Sequence, residues 1–148
     1  MTSEIYDYAI KLLAKKDYFR AELEKKLNSK FTGRSYEVSS VINRLLELKY
    51  LNDDQLLEKY VKSKFEMGWG SLLIRQKLYE KGLSVDISVI DNLAEYSDET
   101  RIKKLFKDKF LKYKNNEKTV AYFCRKGYSY GYIKKVLSEV VQNESDFS

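Results

Sequence analysis

Residues 78–84 read Leu78-Tyr79-Glu80-Lys81-Gly82-Leu83-Ser84, and 45 positions further on residues 123–129 read Phe123-Cys124-Arg125-Lys126-Gly127-Tyr128-Ser129. Both runs end an apolar-periodic segment on Lys-Gly and resume two residues later on serine. A glycine just past such a segment fits the left-handed position that closes a helix, where a Cβ would be penalised. A serine after it suits the N-cap of the next helix. At the same offset, residues 52–84 align without gaps on 97–129, and eight of the 33 pairs are identical. Besides the three just quoted they are Asp53/Asp98, Lys59/Lys104, Lys62/Lys107, Lys64/Lys109 and Phe65/Phe110. The identities include the cap and terminator positions, where geometry selects the residue type. They therefore point to a repeated three-helix unit. Residues 4–51 follow the same order in a less regular register.

Apolar residues recur at helical spacing throughout. Ile5, Ala9, Leu12 and Leu13 mark a first helix. Ala21, Leu23 and Leu27 mark a second, with Asp17 as its expected cap. Val38, Val41, Ile42, Leu45 and Leu46 mark a third, capped by Ser35. Asp53 is the expected cap for Leu56, Leu57, Tyr60, Val61 and Phe65, Ser71 for Ile74 and Leu78, and Ser84 or Asp86 for Ile87, Ile90, Leu93 and Ala94. Asp98 precedes Ile102, Leu105, Phe106 and Phe110, Asn116 precedes Val120, Phe123 and Cys124, and Ser129 precedes Ile133, Val136, Leu137 and Val140. The expected fold is all-α: three tandem three-helix repeats in an elongated, curved array. The repeats are expected at 1–51, 52–96 and 97–142, with a polar tail at 143–148. One unit of this size buries too little apolar surface alone, and its neighbours supply the rest.

Composition narrows the chemistry. The 148 residues include no proline and six glycines, too few turn formers for a sandwich or barrel. There is no histidine, which removes Ser-His-Asp and Cys-His catalysis and the commonest zinc ligand. The single cysteine, Cys124, allows no internal disulfide and no cysteine-rich metal site; it reads as a buried small hydrophobe. No EF-hand, Walker or GxGxxG pattern occurs. The expectation is a binding protein that is not an enzyme, with no cofactor and no metal. Met1-Thr2-Ser3-Glu4 does not open a signal peptide, and no apolar run reaches the roughly 20 residues of a membrane span. A cytoplasmic monomer with no membrane partner is expected.

The net charge of +6 is uneven. Arg101 to Lys135 holds twelve basic residues against Asp108 and Glu117, which suggests a polyanionic partner or a solvated lysine-rich surface. Three constellations carry candidate contacts. In Lys62-Ser63-Lys64 through Gly68-Trp69-Gly70, the two lysines face apart, and Trp69 is either an exposed anchor or a lid on the repeat core. In Ile74-Arg75-Gln76-Lys77-Leu78, Arg75 lies one step off the apolar stripe, within reach of a phosphate or carboxylate or simply solvated. In Tyr122 through Tyr132, tyrosines interleave with Arg125 and Lys126, as in single-strand binders whose rings stack on bases; amphipathic packing is the other reading.

Asn52-Asp53, Tyr60-Val61-Lys62-Ser63-Lys64, Gly68-Trp69-Gly70, Ile74-Arg75-Gln76-Lys77-Leu78 and Lys81-Gly82-Leu83, in that order, resemble the middle repeat of the RecX family, regulators of the bacterial recombinase RecA. Phe123-Cys124-Arg125-Lys126-Gly127-Tyr128-Ser129 with Ile133 and Leu137 resembles the family's last repeat, and Ala9, Leu12-Leu13, Glu22-Leu23 and Leu27 its first. The chain departs from the family pattern at Lys49, where glycine is usual, and at Lys62 and Lys64, where arginine is frequent. It also departs at Ser71 and Leu73, often proline and a basic residue, and by one extra residue in 84–87. The resemblance implies three three-helix repeats that bind RecA filaments on single-stranded DNA and lodge along their groove. It implies lower ATP hydrolysis, strand exchange and co-protease activity, and no catalysis by the regulator itself. Candidate partner or DNA contacts are Lys62, Lys64, Trp69, Arg75, Lys77, Lys81, Lys104, Lys107, Arg125, Lys126 and Lys134. Asp53, Tyr60, Leu78, Gly82, Gly127 and Ser129 are expected to be structural. The alternative is a stand-alone basic helical nucleic-acid-binding protein.

Overall fold

The computed structural model describes residues 4–113 and 116–145, without the side chains of residues 107, 110–113 and 141–145. Nine helices and no strand occur among the described residues: α1 (Glu4–Lys15), α2 (Arg20–Lys30), α3 (Ser35–Glu47), α4 (Asp53–Glu66), α5 (Ser71–Glu80), α6 (Ile87–Asn92), α7 (Asp98–Tyr113), α8 (Asn116–Arg125) and α9 (Tyr130–Ser145). The architecture is the expected all-α helical repeat array. By proximity the chain forms two compact units, one of residues up to Tyr60 with Leu78–Ser84, the other of Val61–Lys77 with the residues from Val85 on.

In the first unit the apolar stripes of α1, α2 and α3 meet. Ile5, Ala9, Leu23, Leu27, Val38, Ile42 and Leu45 are buried together, with Tyr18 and Leu51 closing the ends. Truncating any of these leucines would cost about 2–5 kcal/mol, the transfer loss plus the cavity. In the second unit Ile102, Phe106, Phe123, Tyr128, Ile133 and Val136 form the core of α7, α8 and α9. Phe106 and Phe123 stack at 6.0 Å, and Tyr128 meets Phe123 edge-on at 5.6 Å.

Four helices end alike. After α3, Tyr50 N–H donates to the Leu45 carbonyl and Lys49 N–H to Leu46. The same pair of bonds follows α4 at Gly68-Trp69, α5 at Gly82-Leu83 and α8 at Gly127-Tyr128. This is the double bond of a Schellman ending, which needs one left-handed residue. Gly68, Gly82 and Gly127 have φ of 89°, 89° and 94°, while Lys49 holds the position at φ 63° despite its Cβ.

Several starts differ from the expected caps. Helix α2 begins at Arg20 after Phe19, whose N–H donates to Glu22 Oε1 at 3.2 Å, so Asp17 is not its cap. Ser35 is the first residue of α3 and Arg34 its cap position. Asn52, not Asp53, caps α4: its Oδ1 accepts Gln55 N–H at 3.1 Å. Asp86 caps α6, which stops at Asn92, earlier than its apolar pattern predicts. Ser129 Oγ accepts Tyr132 N–H at 3.4 Å.

Each unit contains a junction between the second helices of successive three-helix groups. In the first, Gly82 lies so close to α2 that a Cβ would sit 2.8 Å from the Ala21 Cβ. Asp53 Oδ1 accepts the Arg20 N–H at 2.8 Å, and Lys81 pairs with Glu22 at 2.8 Å. Asp53 thus serves the start of α2 rather than its own helix. In the second unit, Gly127 packs on the start of α5, where a Cβ would fall 2.3 Å from Leu73 N. There Gly70 N–H donates to the Lys126 carbonyl at 2.6 Å and Leu72 N–H to Gly127 at 3.0 Å. The trailing carbonyls of α8 therefore satisfy the leading N–H groups of α5, head to tail. Asp98 lies against Ser71, the first residue of α5, as Asp53 lies at the first residue of α2.

Candidate functional site

Charge pairing separates the basic residues into engaged and unengaged groups. Arg101 is engaged most fully. Its guanidinium bonds to Asp98 and to the Tyr96 carbonyl and lies 4.2 Å from the Phe65 ring centroid. Burial pushes the Asp98 carboxyl above the ordinary aspartate value, and Arg101 opposes that rise. Burial likewise raises the Tyr128 phenol, whose hydroxyl donates to the Gly68 carbonyl at 2.9 Å. Arg101 is thus a strut that joins α4, α7 and the segment before α7, not a surface contact.

Lys103 bridges Glu99 at 3.4 Å and Glu139 at 2.9 Å, and Lys135 bridges Glu99 at 3.2 Å. The basic block counted from Arg101 to Lys135 is therefore neutralised in part by acids just outside that window.

The candidate contacts divide accordingly. Lys81 is committed to Glu22, and its Nζ also lies 5.9 Å from the Tyr60 ring centroid. Lys64 is half-buried with its Nζ 4.6 Å over the Trp69 ring, and Trp69 is itself half-buried. Lys126 and Lys77 are half-buried, the former 6.0 Å from the Tyr122 ring centroid. Lys134 is exposed over Tyr130 at 5.2 Å. Arg75, Lys104 and Arg125 are exposed, with no acid partner among the described residues. Lys62 is exposed, and the side chain of Lys107 lies outside the described residues. Cys124 is exposed, because α8 turns Phe123 and Thr119 inward and leaves position 124 on the outer face.

Of the structural candidates, Leu78 is fully buried, and Tyr60 meets Phe19 edge-on at 6.1 Å. Burial raises the Tyr60 phenol.

Lys62 and Lys104 come together at a cleft of about 730 Å³ in the second unit, with Phe65, Leu105, Tyr96 and Arg101 also in its wall. Glu66 and Glu95 line it too and offset two of its three positive charges. Sequence reasoning did not anticipate this cleft, since it depends on the turn after α6. No group of three or more metal-binding side chains, and no helix long and apolar enough to cross a membrane, occurs among the described residues.

Residues 52–87 match the family model described as "RecX, second three-helix domain". Along 93% of its length the chain is 30% identical to the regulatory protein RecX of Legionella pneumophila (strain Corby), 95% of which is covered. It is 31% identical to RecX of Clostridium botulinum (strain Eklund 17B / Type B), over 82% of this chain and 63% of that one. The crystal structure of RecX from Lactobacillus salivarius has the same fold: TM-score 0.73 at 24% identity, over 94% of this chain and 96% of that one. With near full-length identity at that level, and with the glycine-closed junctions repeating along the chain, this protein belongs to the RecX family of regulatory proteins.

Proposed function

We propose that this protein binds RecA filaments on single-stranded DNA, blocks their extension and lowers their ATPase, strand-exchange and co-protease activities. The observation that carries this reading is the near end-to-end similarity to regulatory proteins named RecX. The geometry supports a binding role: exposed Arg75, Lys104 and Arg125 have no acid partner among the described residues, and arginine suits bidentate contact with carboxylate or phosphate. In this reading the repeats span 1–51, 52–96 and 97–142, and the protein acts in the cytoplasm as a monomer. It acts as a ligand and not as a catalyst, without cofactor or metal.

The test is RecA ATPase activity on single-stranded DNA with sub-stoichiometric amounts of this protein. Strong inhibition well below one copy per RecA supports capping or groove binding. Full activity at excess, with circular dichroism showing a folded regulator, overturns the proposal. Charge reversal at Arg75 and Arg125 should weaken inhibition while leaving helix content unchanged.

A further inference from the structure

The α1–α2 hairpin carries lysines that the rest of the fold leaves unneutralised. Lys16 and Lys26 converge on one tyrosine: their Nζ atoms lie 4.5 and 5.6 Å from the Tyr18 ring centroid, and Lys26 donates to the Tyr18 hydroxyl at 3.3 Å. Lys30 lies 4.7 Å over the ring of Tyr8. Lys11 and Lys15 stand three and seven residues beyond Tyr8, on the same face of α1. All five are exposed.

Four of the hairpin's five acids are claimed by other cations, three of them from outside it, and the fifth, Asp7, lies one turn before Lys11. Asp17 pairs with Lys59, Glu22 with Lys81, Glu4 with Arg34, and Glu24 with Arg20. No acid partner reaches Lys16, Lys26 or Lys30 among the described residues. The tyrosine faces hold these ammonium groups in place at little cost in solvation.

The chemistry of the partner follows from what this face lacks. None of the exposed large hydrophobic residues lies on α1 or α2. Protein interfaces are depleted in lysine and anchored by aromatic or arginine side chains. A lysine-only face suits a string of point charges. We infer that the Lys16/Lys26/Lys30 face of the α1–α2 hairpin binds the phosphate backbone of single-stranded nucleic acid. It does so through charge alone, without base readout. The inference deepens the filament reading, in that it assigns the DNA contact to the first repeat and not to the Arg101–Lys135 block.

The experiment measures binding of a fluorescent oligothymidylate to the full chain by anisotropy across a salt series. Each phosphate contact on a single strand contributes about 0.7 to the slope of log K against log salt. Lys16→Gln/Lys26→Gln should lower low-salt affinity about tenfold and flatten the slope by about 1.4. Lys16→Arg/Lys26→Arg should retain both, and Lys103→Gln/Lys135→Gln should leave affinity and slope as in the parent. Circular dichroism confirms that each variant is folded. Parent-like binding by Lys16→Gln/Lys26→Gln overturns the inference, as does absence of oligonucleotide binding by the parent. RecA inhibition that persists without oligonucleotide binding sinks this inference alone. Lysine-dependent binding without RecA inhibition supports it and sinks the filament reading instead.

Discussion

The carboxylate of Asp53, first residue of α4, accepts the backbone N–H of Arg20, first residue of α2, at 2.8 Å. The residues are 33 apart in sequence, and the bond is a helix cap delivered from the next repeat. Asp53→Ala should cost about 1 kcal/mol, the ordinary value of a lost cap. Asp53→Asn, which keeps an acceptor oxygen, should recover most of it. Urea unfolding midpoints measure both.

Lys49 occupies a left-handed position, φ 63°, that glycine fills at the ends of α4, α5 and α8. A side chain there costs roughly 1–2 kcal/mol in backbone strain, offset in part by the greater freedom glycine gives the unfolded chain. Lys49→Gly should therefore raise stability by about 1 kcal/mol. An unchanged or lower melting temperature would show that this turn bears no such strain.

Glycine-to-alanine changes at positions 127 and 131 should act in opposite directions. A Cβ at Gly127 would lie 2.3 Å from Leu73 N and 2.4 Å from its Cβ, with φ at 94°. Gly127→Ala should cost about 2–4 kcal/mol from strain and overpacking together. Gly131, in the first turn of α9, has open space around its Cβ position. Gly131→Ala should stabilise by a few tenths to about 1 kcal/mol. Thermal unfolding of the two variants gives the comparison.

Glu99 is held below its ordinary value of 4.5, first by the hydrogen bond from Lys135 and then by that from Lys103. A depressed folded-state value means that the ionised form favours the fold. Its contribution is present above pH 4.5 and lost as pH falls through the folded value. Lys135→Gln should move the Glu99 titration, followed by carboxyl carbon resonances, back toward 4.5 by more than Lys103→Gln does.

The helices and their repeat were legible because burial imposes a 3.6-residue period on apolar side chains and left-handed endings select glycine. Gly82 and Gly127 could be placed from sequence alone. The caps were less legible. Which oxygen serves an N–H depends on how the chain enters the helix, so Asn52 took the role expected of Asp53, and Asp53 was freed to serve α2. The basic faces were least legible. A window of sequence cannot show that Glu99 and Glu139 flank Lys103, or that Lys59 and Lys81 occupy the acids beside Lys16 and Lys26. Cys124 read as core because free cysteine is usually buried, yet it stands 100° of rotation from the buried Phe123 and on the outer face of α8.

The joint between α8 and α5 is made almost wholly of main chain: Gly70 and Leu72 donate, Lys126 and Gly127 accept, and no side chain intervenes between the glycines. What it demands of the genetic message is a missing atom at two codons. The junction of α5 on α2 rests on side chains instead, with Ala21 against Gly82, Asp53 on the Arg20 N–H and Lys81 on Glu22. At the α8–α5 joint alone, the exposed charges nearby could be rewritten one by one without touching what holds the helices together.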